Sequence, residues 1–107
     1  MKISNSNINN LIIDGARPDQ LENLKELQCI YDNRKSFYKK AYTGEYMGNI
    51  YLKSYDTIVA CIFINQLRIY GFYSQTTARH IREFAKQNGF NDIITAKDMK
   101  NTSVFSK

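Results

Sequence analysis

Residues 58–64, Ile58-Val59-Ala60-Cys61-Ile62-Phe63-Ile64, are apolar at every position. A strand with one wet face alternates apolar and polar residues, so a run apolar on both parities needs cover on both faces. At seven residues it is far short of the roughly 20 that a membrane helix requires. It is read as the central strand of a covered sheet, with no membrane partner. Segments 50–55 and 67–73 flank it across two-residue gaps, Asp56-Thr57 and Asn65-Gln66, a spacing that suits tight hairpins. Segment 36–42 is also β-prone, and Gly44 and Gly48 punctuate the stretch after it. The expected sheet is an antiparallel meander of three to four strands, with 92–95 a further short strand.

Two helices are expected to pack on it. Ser74 suits an N-cap, and Ala78, Ile81, Phe84 and Ala85 share one helical face as far as about 88. Gly89 then supplies a left-handed C′ residue and Phe90 the apolar contact that usually accompanies it. The second helix is amphipathic and spans about 18–32. Pro18 suits its first turn, Asp19 and Glu22 complement its positive end, and Leu21, Leu24 and Leu27 form its apolar face. Leu11-Ile12-Ile13 is a short strand or anchor before an Asp14-Gly15 turn. The fold class is thus α+β, one domain over 1–107, with 1–10 and the basic tail 97–107 loosely ordered.

The chain holds one histidine and two cysteines, Cys29 and Cys61, outside any Cys-x-x-Cys pairing. A multi-histidine metal site is excluded and no cysteine cluster replaces it. Widely spaced thiols and a polar N-terminus without the apolar core of a signal peptide point to a reducing, cytoplasmic setting. The five glycines are scattered, so no phosphate-cradling loop forms. Glu22 and Glu26 are a solvated helix face rather than an acid–base pair. No cofactor and no enzymatic activity are expected.

Charge is uneven. The net charge is +5, yet residues 1–30 carry three cations against four carboxylates, and residues 31–107 carry twelve against six. Within the second part, Arg34, Lys35, Lys39 and Lys40 interleave with Phe37, Tyr38 and Tyr42. Cations for phosphates beside rings for base stacking are the equipment of nucleic-acid binders. Arg79, Arg82 and Lys86 add a cationic stripe at i, i+3, i+7 on the helix that starts at Ser74. Tyr51, Lys53 and Tyr55 share one strand parity, and Arg68, Tyr70 and Phe72 share another. If those faces coincide and are open, they form an aromatic–basic platform. If the leucine helix covers them, the same aromatics are packing partners and contact falls to Arg79, Arg82 and 34–42. Capping and packing do not require Arg79 or His80, which leaves them a contact surface or a hydrogen-bonding role toward the adjacent hairpin.

Ser54-Tyr55-Asp56-Thr57, together with Tyr73-Ser74-Gln75-Thr76-Thr77-Ala78-Arg79-His80-Ile81-Arg82-Glu83-Phe84 further along, resembles a family of small proteins of unknown function from phages and prophages of low-GC Gram-positive bacteria. The resemblance covers roughly 50–90. Isoleucine, asparagine, lysine and tyrosine, whose codons are AT-rich, make up 42 of 107 residues and agree with such a source. That setting implies a protein that works by binding: an anti-CRISPR-type inhibitor whose partner is a host defence protein or nucleoprotein such as a Cas effector. The alternative is a basic module for single-stranded DNA or RNA, and a homodimer through exposed tyrosines is a third reading.

Overall fold

A computed structural model describes residues 2–5 and 16–107. Six strands between residues 22 and 106 form an antiparallel sheet: β2 (Glu22–Glu26), β3 (Ala41–Tyr46), β4 (Asn49–Ser54), β5 (Thr57–Phe63), β6 (Gln66–Ile69) and β7 (Ser103–Ser106). β1 (Lys2–Asn5) adds a seventh strand beside β7, and the order across the sheet is β1-β7-β6-β5-β4-β3-β2. One long helix, α1 (Gln75–Gln87), lies on one face, and a short one, α2 (Ala96–Lys100), precedes β7. The expectation of three to four strands packed with two helices is therefore corrected. The described chain is mostly sheet.

The N-terminal helix expected over 18–32 does not form. A 3-10 turn over Pro18–Gln20 leads into β2, and residues 27–40 are an irregular loop. Leucines three apart fit a helix, but here Leu21 and Leu27 reach different clusters: Leu21 packs with Tyr51 and Cys61, and Leu27 packs under α1. Asn23, at φ 55°, lies in the register shift between Glu22 and Lys25 that makes this possible. Without β2, the backbone groups along one side of β3 would be unpaired, and pairing them outweighs a modest helical preference.

The 97–107 segment, expected as a loose tail, is also corrected. Thr95 and Asp98 form a reciprocal capping box for α2, and β7 pairs with β6 on one side and β1 on the other. Ser103, Val104 and Phe105 are buried. Residues 11–15, read as an anchor and a turn, lie outside the described residues, as do 6–10.

The three strands expected at 50–55, 58–64 and 67–73 form one residue earlier, as β4, β5 and β6, and the last of them stops at Ile69. β5 lies between β4 and β6, with Val59, Ala60 and Cys61 buried. Its two faces feed two clusters. Val59 and Ala60 join Leu52, Leu67, Ile69, Ala78, Ile81, Phe84 and Phe105 beneath α1. Cys61 joins Leu21 and Tyr51 on the far side. The two expected turns each lie one residue earlier, at Tyr55-Asp56 and Ile64-Asn65. Ile64-Asn65, like Met47-Gly48 between β3 and β4, is a central pair with both φ positive, the backbone of hairpins whose twist matches the strands.

α1 begins and ends where its caps and apolar stripe place it. The Ser74 hydroxyl accepts from the Thr77 amide at 3.0 Å. At the other end the Gly89 amide donates to Lys86 and the Phe90 amide to Ala85, a Schellman closure with Gly89 at φ 90°.

Candidate functional site

α1 carries three flanks. Thr77, Ala78, Ile81, Phe84 and Ala85 face the sheet and are buried. His80, Glu83 and Gln87 form a second flank, at i, i+3, i+7, and the third is the stripe of Arg79, Arg82 and Lys86. The second flank holds the loop 27–40 in place, and the third lines a cleft beside it.

The anchor of that loop is Glu83, buried although charged. Its carboxylate accepts the backbone N–H groups of Ile30 (3.0 Å), Tyr31 (3.1 Å) and Asp32 (2.8 Å), together with the side-chain amide of Gln87. Burial alone would raise its pKa, but the Gln87 amide and the three backbone donors outweigh burial and hold the carboxyl below its ordinary value. Gln87 also donates to the Gln28 carbonyl at 2.7 Å. Next to it, Arg79 Nη1 lies 3.0 Å from both oxygens of Asp32, whose Oδ1 also accepts the Arg34 amide at 2.9 Å. Burial opposes the Asp32 charge as well, and the Arg34 amide and Arg79 guanidinium more than compensate, so this carboxyl too titrates below its usual range.

His80 is fully buried. Its Nδ1 lies 2.8 Å from Ser54 Oγ, which in turn is 2.9 Å from Thr77 Oγ1. The Phe37 ring packs against the imidazole in a T-shaped arrangement at 4.6 Å between centroids. Burial pushes the imidazole down to about 4, with the Asp32 charge pulling slightly the other way. A serine hydroxyl at 2.8 Å from an imidazole has the spacing of a nucleophile–base pair. Ser54 and His80 are nevertheless both buried, and neither lines a described cavity. The pair joins α1 to the end of β4. Of the two roles open to His80 in the sequence, the geometry matches the hydrogen bond to the hairpin.

Around this framework the loop displays side chains outward. Arg34, Lys35, Tyr38, Lys39 and Lys40 are exposed, as are Ile30 and Tyr31. Tyr38 and Lys39 both have positive φ and form the tight turn that the Lys40 amide closes onto the Phe37 carbonyl at 2.9 Å. Lys40 Nζ stands 5.8 Å from the centre of the Tyr55 ring, and Lys53 Nζ stands 5.5 Å from that of Tyr42, its cross-strand partner. Two cation–π pairs therefore sit beside the loop.

The platform residues fall in different places. Tyr51 and Arg68 both pair with Cys61 across β4, β5 and β6, so these side chains share the face away from α1. That face is not open at its centre: Tyr51 is 1 % exposed and packs with Leu21, and Tyr70 packs against the same cluster. The cover comes from the residues before β2 rather than from a leucine helix. Tyr55 is in the β4–β5 turn, near His80, and Phe72 packs under α1. The structure thus brings Lys40 to Tyr55 and Lys53 to Tyr42, and it sets Arg79, Arg82 and Lys86 along the cleft, while Arg34, Lys35, Tyr38 and Lys39 are exposed on the loop between. It separates the loop and cleft residues from Arg68 and Tyr70.

Sequence reasoning passed over Asp32, Glu83 and Ser54. Glu83 had a local signal: it shares a helical flank with His80 and Gln87, at the margin of the apolar stripe. Its partners lie 51 to 53 residues away, where no periodicity reaches. Among the described residues no group of histidine, cysteine, aspartate and glutamate could hold a metal ion, and no helix is long and apolar enough to cross a membrane.

No curated protein and no solved structure matches the chain. A protein-family model does, over residues 25–101, a span that runs from β2 through the anchored loop, the central strands and α1 to the end of α2. By that match the chain belongs to a family of unknown function, DUF8033.

Proposed function

We propose that this chain is a non-enzymatic binding protein of a phage or mobile element, which occupies a surface of a host defence nucleoprotein in the bacterial cytoplasm, as anti-CRISPR-type inhibitors do. The observation that carries this reading is the loop 27–40. It is anchored from beneath by Glu83, by the Arg79–Asp32 pair and by buried Phe37, and it presents Ile30, Tyr31 and Tyr38 among four exposed cations. Tyrosine and arginine dominate binding hot spots, and a loop ordered in advance loses little entropy on docking. The Ser54–His80 pair is buried, which favours binding over catalysis.

A plasmid-interference assay in a host with an active defence system tests the reading. Expression of the chain is expected to abolish interference, and the double variant Lys39→Glu, Lys40→Glu to restore it. Unimpaired interference against every system of the host sinks the proposal.

The Lys40–Tyr55 and Lys53–Tyr42 pairs favour a second reading, direct binding of single-stranded DNA or RNA by the same side of the molecule. Affinity should then fall with salt, with a log–log slope of roughly −0.7 per phosphate contact. Fluorescence anisotropy that shows no binding to either nucleic acid at low salt rules this out.

A further inference from the structure

A cleft of about 440 Å³ separates the loop at Tyr31 and Asp32 from residues 91–94, with the cationic flank of α1 as its floor. Its size is within the roughly 300–1,000 Å³ of small-molecule sites. Three cations and three carboxylates line it, so the formal charges cancel, but the hydrogen bonding does not. Glu83 is occupied by its three backbone donors and Gln87, and Asp32 by Arg79 and the Arg34 amide, while Asp92, the third carboxylate, has a partner of its own. Among the described residues Arg82 engages Nε alone, on the Ile94 carbonyl at 2.8 Å, a bond that fixes the guanidinium while its two terminal nitrogens have no partner among those residues. Arg79 engages Nη1 alone among the described residues. Lys86 forms no ion pair among the described residues, and its Nζ stands 5.9 Å from the centre of the Tyr31 ring. Arg79 and Arg82 are neighbours one turn apart. The floor therefore offers surplus charged donors in fixed positions, suited to the oxygens of a phosphate.

The walls are of a different kind. Tyr31 stands on one side at 59 % exposure, and Ile93 on the other at 87 %. Both line the cleft and both are exposed, so a ring and an aliphatic side chain have apolar surface free to contact a planar base above a donor-rich floor. We infer that this cleft binds a nucleotide, with its phosphate on Arg79, Arg82 and Lys86 and its base between Tyr31 and Ile93. The nucleotide is either free or a terminal unit of a strand. The inference stands apart from the partner reading, whose test turns on Lys39 and Lys40, outside the cleft.

Isothermal titration calorimetry of the full chain tests it, with AMP, inorganic phosphate and 5′-phosphorylated octathymidylate as probes. AMP is expected to bind saturably. Arg82→Gln should weaken it about tenfold, the loss of one charge-assisted hydrogen bond. Because Arg82 also holds the Ile94 carbonyl, Lys86→Glu at an exposed position provides an effect in the same direction without that risk to folding. Tyr31→Ala should weaken AMP by about tenfold and leave inorganic phosphate unchanged. Saturation by AMP assigns a free nucleotide. Saturation by the oligonucleotide alone, with the same dependence on Lys86 and Tyr31, assigns the end of a strand, and either result supports the inference. It is overturned if neither probe saturates the folded protein, if Lys86→Glu and Tyr31→Ala bind both as the native chain does, or if inorganic phosphate binds as tightly as AMP.

Discussion

Glu83 and His80 are both ionisable, both buried, and opposite in the way they tolerate burial. Glu83 keeps its charge because backbone amides of a distant loop converge on it, whereas His80 gives its charge up. Glu83→Gln replaces one acceptor oxygen with a donor facing amides that also donate. The expected loss is about 2–4 kcal/mol of stability, with faster hydrogen exchange at the Ile30, Tyr31 and Asp32 amides. Unchanged exchange there would mean that the loop is held by other contacts.

For His80 the folded imidazole titrates near 4 against an ordinary 6.5. The unfolded chain therefore binds a proton that the folded chain refuses, and stability falls as pH drops from about 6.5 towards 4. A shift of that size corresponds to about 3 kcal/mol over the window. Glu83 acts at lower pH: its folded pKa is depressed, so its contribution is complete above its ordinary value of 4.5 and is lost as pH falls through the folded value. Because the chain has a single histidine, an NMR titration reads this site without overlap. A midpoint near the ordinary value of 6.5 would contradict the burial, as would a urea midpoint that stays level from about pH 7 to about pH 5.

Among the elements, α1 and β2 show what a local pattern can and cannot decide. The start, stripe and stop of α1 are all set by residues within about one turn of each other, and they agree. β2 had a weaker local pattern that pointed to a helix, and the open side of β3 overrode it. Gly44 shows how close that pairing is. A Cβ built there would sit 2.8 Å from Leu21 Cβ, 3.1 Å from Leu24 Cδ2 and 3.3 Å from the Glu22 carbonyl. Gly44→Ala should therefore push β2 off β3 and cost about 1–3 kcal/mol. Gly71→Ala, whose new methyl would come no nearer than 3.7 Å to its nearest neighbour, the Tyr73 ring, should stay within about 0.5 kcal/mol. Thermal melts of the two variants check the contrast, and equal melting temperatures would refute it.

Taken as a whole, the molecule depends on its C-terminal end. β7 is an inner strand, inserted between β6 and β1, and it brings Phe105 to the core beneath α1. Deletion of residues 102–107 would uncover the apolar side of β6 and leave an unpaired edge. The truncated chain is expected to lose its cooperative melt and to aggregate on size-exclusion chromatography, and a soluble, cooperatively melting product would overturn this account of the sheet.

The amino-acid sequence alone is enough to place α1 and the stripe of Arg79, Arg82 and Lys86, and to put the hairpins of the central strands within a residue. Each rests on interactions between residues a few positions apart, where period, cap and turn chemistry act directly. The tertiary structure decides the rest. It made 22–26 a strand, drew 103–106 into the sheet, buried His80 and closed the face around Tyr51. It also joined Arg79 to Asp32 across 47 residues. These outcomes turn on which distant surfaces and backbone groups are left unsatisfied once the local elements have formed, and nothing within a few residues of each position carries that information.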